Sequence, residues 1–295
     1  METMNNLIKK AFTLIELLVV IVVIAILSSL ITVSMSGVKE KANYAKAQAF
    51  SDSLKNSFGT KIVAEYKFDE GSGTTTNDTW AGKVATFASS PYAPTWTSSG
   101  CVSGNCLFFD GTISPSGDYI GYNDPILGLT QATVCIWVKR LAYIQYATFV
   151  MDYYSTYKNF ILGYESSDGT INFYAGNGPS TDSIPATGFT GNVWHYVCGS
   201  FVGSGELAIY IDGIKKNFKT TTIAVIGPTQ SSRSHIGKYS SRYLNGLLDD
   251  LKFFKKALTS FEIKEQYYAG LNKLLANGGI SKEEYTSRIN ETAQK

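Results

Sequence analysis

The chain has 295 residues and a formal net charge of +2, with charged side chains making up only 17% of it. That near-neutral balance excludes the electrostatic footprint of a nucleic-acid-binding protein. The length allows one sizeable core plus an appendage, and 19 Tyr with 27 Gly favour a β-rich, extracytoplasmic domain.

The first predicted element is apolar. Residues 9–33 read KKAFTLIELLVVIVVIAILSSLITV. Lys9 and Lys10 precede a small residue, Ala11, and an apolar run extends from Phe12 to Val33, interrupted by Glu16. As a helix this run is roughly 33 Å long at about 1.5 Å per residue. That length crosses a hydrocarbon core of about 30 Å. A secretory signal peptide has a shorter apolar region and a cleavage site after it. Here the cut falls before the run, so the hydrophobic segment stays on the mature chain. The positive-inside rule puts Lys9 and Lys10 in the cytoplasm, giving a single pass through the cytoplasmic membrane with the remainder exported.

The stretch KKAFTLIELLVV resembles the class III signal of type IV pilins and pseudopilins: a small residue followed by F-T-L-[IL]-E. The resemblance implies cleavage by a prepilin peptidase between Ala11 and Phe12 and N-methylation of Phe12. Ala11 stands where that family most often has Gly. Glu16 is costly in lipid, up to about 3 kcal/mol on insertion scales. The resemblance gives this carboxylate an assembly role, meeting the charged N-terminus of a neighbouring subunit. Implied partners are other pilin subunits, the peptidase and the membrane. Implied locations are the cytoplasmic membrane first and an extracellular filament or cell surface afterwards.

From Ser34 to about Phe58 the pattern stays helical, with Val38, Ala42, Ala45, Ala49 and Leu54 forming an intermittent apolar stripe. Gly37 is a candidate kink, and Gly59-Thr60 ends the helix.

From Ile62 to about Phe254 the reading changes to short alternating strands separated by Gly, Asn, Asp, Ser and Pro. Examples are IVAEYKF, CLFFDG, ATVCIWVKR, TINFYAG, WHYVCGSF, ELAIYIDG and LLDDLKFF. Hairpin signals fall at Ser167-Asp168-Gly169, Gly203-Ser204-Gly205 and Asp212-Gly213. This pattern predicts a two-sheet sandwich. Cys101 and Cys106 close the short loop CVSGNC, which suits a local disulfide. Cys135 shares a strand face with Trp137, and Cys198 with Trp194. Read as core-facing on neighbouring strands, this second pair is either bonded or two buried thiols.

The order of these segments is similar to the laminin-G-like, concanavalin-like jelly roll over about residues 62–268. The landmarks are YKFDEGSGTTTNDTW, LFFDGTISPSGDYIGY, ATVCIWVKR, WHYVCGSF with ELAIYIDG, and SHIGKYSSRYLNGLLDDLKFF. The fold class expected is therefore mainly β. An N-terminal transmembrane and stalk helix precedes an antiparallel two-sheet jelly roll, and a short helical hairpin follows it. The domains read as 1–11 leader, 12–58 helix, 60–258 head and 259–295 C-terminal helices.

In the last segment Thr259-x-x-Glu262 and Ser281-x-x-Glu284 are capping-box patterns, with Asn277-Gly278-Gly279 as the stop between them. LNKLLANGGISKEEYTSRI is similar to the two-helix SHOCT module, which implies a small core of Leu271, Leu274, Leu275, Ile280, Tyr285 and Ile289.

The jelly-roll resemblance also implies a structural Ca²⁺ near the first and last strands, with Asp69, Glu70, Asp78, Asp249 and Asp250 as candidate ligands. The loop Thr79–Lys83 departs from that family's S-G-N-G-N. The other reading is that these acids cap turns. No strand carries the E-x-D-x-x-E spacing of related glycan hydrolases. His195 and His235 lack a nucleophile context. The expectation is a head for adhesion that binds a glycan or a surface protein, and no catalysis. Tyr143, Tyr146, Tyr153, Tyr154, Tyr157 and Tyr164 are candidates for stacking on sugar rings, or simply fill sheet surfaces. A purely structural filament protein, a membrane-anchored surface protein and a secretion pseudopilin are the alternative readings.

Overall fold

The computed structural model describes residues 14–15, 17–25, 59–112, 117–123, 125–154, 157–227 and 233–293. The chain divides into two compact units, Met1–Phe58 and Gly59–Lys295. The expectations for Ala11, Phe12, Glu16 and the stalk at 26–58 lie outside the described residues.

In the first unit, residues 14–15 and 17–25 are helical and are called α1. Their apolar side chains, from Leu14 to Ile24, are exposed. Among the described residues no helix is long and apolar enough to cross a membrane.

The second unit is mainly β. Its strands are β1 (Ile62–Tyr66), β2 (Thr75–Asn77), β3 (Val84–Phe87), β4 (Thr95–Thr97), β5 (Cys106–Asp110), β6 (Ile120–Gly121), β7 (Gln131–Ala142), β8 (Val150–Tyr154) and β9 (Tyr157–Ser167). They continue as β10 (Thr170–Gly176), β11 (Thr181–Thr187), β12 (His195–Val202), β13 (Glu206–Ile211), β14 (Ile214–Thr220), β15 (Arg233–Ile236), β16 (Lys238–Tyr239), β17 (Arg242–Tyr243) and β18 (Asn245–Phe254). Sheet A runs β14-β13-β12-β7-β18-β5-β4, with β1 also paired to β18. Sheet B runs β11-β10-β9-β8-β15-β6-β3-β2, and β16-β17 form a separate ribbon. Two antiparallel sheets face each other, as the strand pattern predicts. All three hairpin signals fall between consecutive paired strands: β9–β10, β12–β13 and β13–β14.

The core follows from period-two alternation. In β7, Ala132, Val134, Ile136 and Val138 face inward, meeting Phe160, Leu162, Ile171 and Phe173 of sheet B. Each fully buried side chain of this size contributes about 1.5–3 kcal/mol. At one end Arg140 continues the inward row and reaches across to Glu165 of sheet B at 2.8 Å and to Asp168 at 2.7 Å.

The other row of β7 faces out. Cys135 pairs with Cys198 on β12, and the two are bonded; Cys101 and Cys106 are bonded as well. The reading of Cys135 and Cys198 as core-facing needs correction. They are buried, but on the outer side of sheet A, in the row of Trp137 and Tyr196. Their cover is a helix rather than the second sheet.

That helix is α2 (Ser260–Ala276), followed by α3 (Lys282–Ala293). Thr259 caps it in a full capping box: its hydroxyl accepts from the Glu262 N–H, and the Glu262 carboxylate accepts from the Thr259 N–H. Ile263, Tyr267, Gly270, Leu271 and Leu274 form its buried stripe. Tyr267 stacks on Trp137 at 5.7 Å. A Cβ on Gly270 would stand 2.3 Å from the Trp137 ring, so only glycine allows this approach. Leu271 and Leu274, expected in a core shared by two helices, are buried members of this stripe. The C-terminal helices are part of the head's own compact unit.

Candidate functional site

Three regions concentrate polar or aromatic side chains: the predicted acids, a cavity around His195, and the outer face of sheet B.

The acids gather where β18 breaks its ladder. The register of β18 against β7 shifts between Asp249 and Lys252, and Asp250 has φ +46°. This β-bulge turns consecutive carboxylates out of a strand that is otherwise apolar. Asp249 accepts hydrogen bonds from the Val102 and Ser103 N–H groups at 2.9 and 3.1 Å. Asp69 accepts from the Asn105 N–H at 3.0 Å. The disulfide loop 101–106 is thus a cradle of donors for two carboxylates. Asp250 accepts from Lys273 Nζ of α2 at 2.8 Å. Burial and the adjacent Asp250 charge push the Asp249 carboxyl well above the usual range. Against its own burial, Lys252 and Lys273 hold Asp250 below that range.

The other two acids are also engaged. Asp78 accepts from the Glu65 and Trp80 N–H groups, and Glu70 from Thr76 and Asn77. Calcium requires about six to eight converging oxygens. Here the carboxylates face N–H donors and an ammonium. Among the described residues no group of three or more His, Cys, Asp or Glu converges to hold a metal. Among these five acids two buried oxygens lack hydrogen-bond partners, Asp78 Oδ2 and Asp249 Oδ1, and the two carboxylates share no hydrogen-bond donor. The residues do not fit a calcium site. They fit the turn-capping reading.

The cavity of about 270 Å³ lies between β12–β14 and the C-terminal helices, lined by His195, Asp212, Thr190, Lys216, Tyr267 and Arg288 among others. His195 Nδ1 donates to Asp212 at 2.6 Å, and its Nε2 accepts from the Thr190 N–H at 3.2 Å, with the Thr190 hydroxyl at 2.9 Å. This is a hydroxyl–imidazole–carboxylate order, but the backbone N–H of Thr190 already engages the imidazole lone pair. Asp212 also accepts from the Tyr196 N–H, and its own N–H donates to the Tyr196 carbonyl. The set clamps the β13–β14 turn to the start of β12. His235, on β15, meets the Tyr119 ring edge-on at 5.0 Å.

The outer face of sheet B holds the tyrosines. Tyr164 on β9 stacks on Tyr146 at 5.2 Å and meets Tyr174 and Tyr239 edge-on at 5.4 and 5.3 Å. Tyr239 in turn meets Tyr153. Lys158 Nζ lies 4.2 Å from the Tyr174 ring centroid, 5.1 Å from Tyr164 and 5.7 Å from Tyr239. Lys238 Nζ, in the β16–β17 ribbon, lies 3.9 Å from the ring centroid of Tyr119, which precedes β6. Burial lowers the Lys158 pKa and raises Tyr164 to about 12.

Of the predicted tyrosines, Tyr146, Tyr153 and Tyr164 are brought together here. Tyr143 sits apart over Arg140. The side chains of Tyr154 and Tyr157 lie outside the described residues. The sequence reading did not name Tyr119, Tyr174, Tyr239, Lys158 or Lys238. The available signal was alternation: in TINFYAG, Tyr174 falls two positions after Asn172, opposite the core row of Ile171 and Phe173.

The sheet order and landmarks define a class, and the chain belongs to the concanavalin A-like lectin/glucanases superfamily, whose model matches residues 114–264. Residues 8–32 match the prokaryotic N-terminal methylation motif, the type IV pilin signal. Among solved structures, domain 4 of AbnA, an extracellular GH43 arabinanase from Geobacillus stearothermophilus, in complex with arabinotriose, is similar over 70% of this chain and 97% of that one. Its TM-score is 0.56 at 18% identity. The binding domain of Paraclostridial mosquitocidal protein 1 is similar at TM-score 0.55 and 12% identity, over 73% of this chain and 53% of that one. The botulinum neurotoxin serotype D ligand-binding domain, in complex with N-acetylneuraminic acid, is similar at TM-score 0.54 and 16% identity, over 74% and 53%. The chain spans about half the length of these two toxin domains, and the likenesses show the fold. No curated protein matches the chain.

Proposed function

We propose that this chain is a pilin-like filament subunit whose jelly-roll unit is a binding head. In this reading prepilin peptidase cuts between Ala11 and Phe12, and the new N-terminus is methylated. The run from Phe12 to Val33 holds the precursor in the cytoplasmic membrane, and Glu16 sets register against a neighbouring subunit. Residues 59–295 are then displayed outside, where two disulfides suit an oxidising medium. The observation that carries this reading is the methylation motif and a lectin-like sandwich on one chain. The open tyrosine face of sheet B supports glycan binding by the head, and two structural neighbours are complexes with sugars, arabinotriose and N-acetylneuraminic acid. The head acts by binding, and the His195 cluster serves as a clamp.

The test begins with sheared surface filaments from producing cells and mass spectrometry of the chain's N-terminus. The expected result is N-methylated Phe12 in the filament fraction, lost from filaments on Glu16→Ala. Uncut Met1, or a processed chain confined to membranes, would favour an anchored surface protein instead.

A further inference from the structure

We propose that the outer face of sheet B takes an acidic sugar: its ring C–H faces lie on the tyrosines, and Lys158 and Lys238 each offer an ammonium to a carboxylate or sulfate along it. This deepens, and rests on, the glycan-binding part of the reading above.

The argument starts from what covers each sheet. The outer face of sheet A is closed by α2, whose Tyr267 and Gly270 lie against Trp137. No described helix packs over the outer face of sheet B. Over the run β10-β9-β8-β15-β6 of sheet B, half-buried tyrosines come from β10, β9 and β8, from β16 of the ribbon and from the segment before β6. Five neighbouring strands span about 19 Å at roughly 4.8 Å each, room for a short oligosaccharide. Tyrosine supplies rigid, amphipathic contact area with little rotamer entropy to lose.

Charge then selects the ligand. Lys158 and Lys238 rest on aromatic rings, and among the described residues neither forms an ion pair with a carboxylate. Lysines elsewhere in the head do so: Lys215 with Glu206, Lys219 with Asp182, Lys273 with Asp250. A ring face stabilises an ammonium but accepts no conventional hydrogen bond from it. The donors of both ammoniums therefore remain for an anion. Burial already disfavours the charged form of Lys158, and an anion seated on it relieves that cost. A neutral sugar uses the rings but leaves this penalty in place.

The experiment uses the full chain in detergent and calorimetry with paired probes. One pair is trigalacturonate and its methyl ester, which share rings and differ in charge. The other is sialyllactose and lactose, which separates a sialate from a uronate source. The acidic member of at least one pair is expected to bind at least about tenfold tighter, the effect of one charge-assisted hydrogen bond, and to weaken with salt. Lys158→Gln and Lys238→Gln should each remove about that factor for the acid and leave the neutral probe unchanged. Lys158→Arg should retain it. Tyr164→Ala should weaken both members, with a single cooperative melting transition confirming that the variant folds. Equal binding of ester and acid, or lysine variants that bind acid like the parent, overturns this proposal and leaves a neutral-glycan head standing. Failure of every sugar to bind, with Tyr164→Ala instead changing self-association in light scattering, overturns both and makes the face a subunit contact.

Discussion

The two sheets both carry large aromatics on their outer faces, and the two faces meet different fates. On sheet A, Trp137 and Tyr196 lie beside the Cys135–Cys198 disulfide under α2 and are almost completely buried. On sheet B, Tyr164, Tyr174 and Tyr239 stay half-buried and keep a lysine among them. The covered face uses glycine to bring a helix onto an indole. The open face uses residues with an apolar body and a polar tip, which tolerate water at one end. An aromatic row on a strand therefore does not by itself mark a binding surface. What distinguishes the two is whether the chain supplies its own cover.

The comparison breaks most visibly at Trp137. Trp137→Ala should cost about 3–5 kcal/mol in denaturant unfolding, far more than Tyr174→Ala on the open face. Equal losses would mean that the second face is core as well. Removing the disulfide with Cys135→Ala and Cys198→Ala should cost about 4 kcal/mol, since it closes a separation of 63 residues. An unchanged denaturation midpoint would show that α2 alone holds that face. Gly270→Ala should destabilise by about 1–3 kcal/mol through overpacking, although alanine favours helix by roughly 0.8–1 kcal/mol. A gain in stability there would mean that α2 does not lie on Trp137.

The Arg140–Glu165 pair joins the sheets and gives a pH test. Burial raises Glu165 to about 7 from 4.5, against the pull of Arg140, and its second oxygen has no partner. A raised acid binds its proton more tightly when folded. Its stabilisation is complete below about 4.5 and lost as pH rises through about 7. Glu165→Gln should remove that decline, read as melting temperatures of both proteins across this window. Parallel curves would show that Glu165 stays ionised. The smallest effect is expected at Tyr164→Ala, within about 1.5 kcal/mol, the scale of one aromatic pair.

Much of the fold was legible because the sequence states it locally. The Asp-Gly and Gly-Ser-Gly turns marked hairpins, and Thr259 with Glu262 marked the start of α2. Among the strands that the sequence examples leave out, TDSIPAT and IKKNFKT are β11 and β14, each at one edge of sheets B and A. Edge strands tolerate Pro185 and a row of lysines because one side of their ladder is unpaired, so they lose the alternation that reveals central strands. The direction of Cys135 and Cys198 was not legible for a different reason. Alternation gives two faces, but only the docking of α2 says that the outer one is buried too. The acids were found in sequence, yet their role depended on Val102, Ser103 and Asn105 offering backbone N–H groups, which side-chain identity does not record.

Sheet A has one further consequence, which concerns the order of events in time. Its central strand β18 is the last strand of the chain, yet it pairs with β1, β5 and β7. Until residue 254 has emerged from whatever releases the chain, those three strands have no common neighbour, and sheet A is split into three pieces. The head therefore cannot close while it is being made. Its last strand and the helix behind it act as the closing step, and truncation before β18 should abolish the whole sandwich rather than trim it.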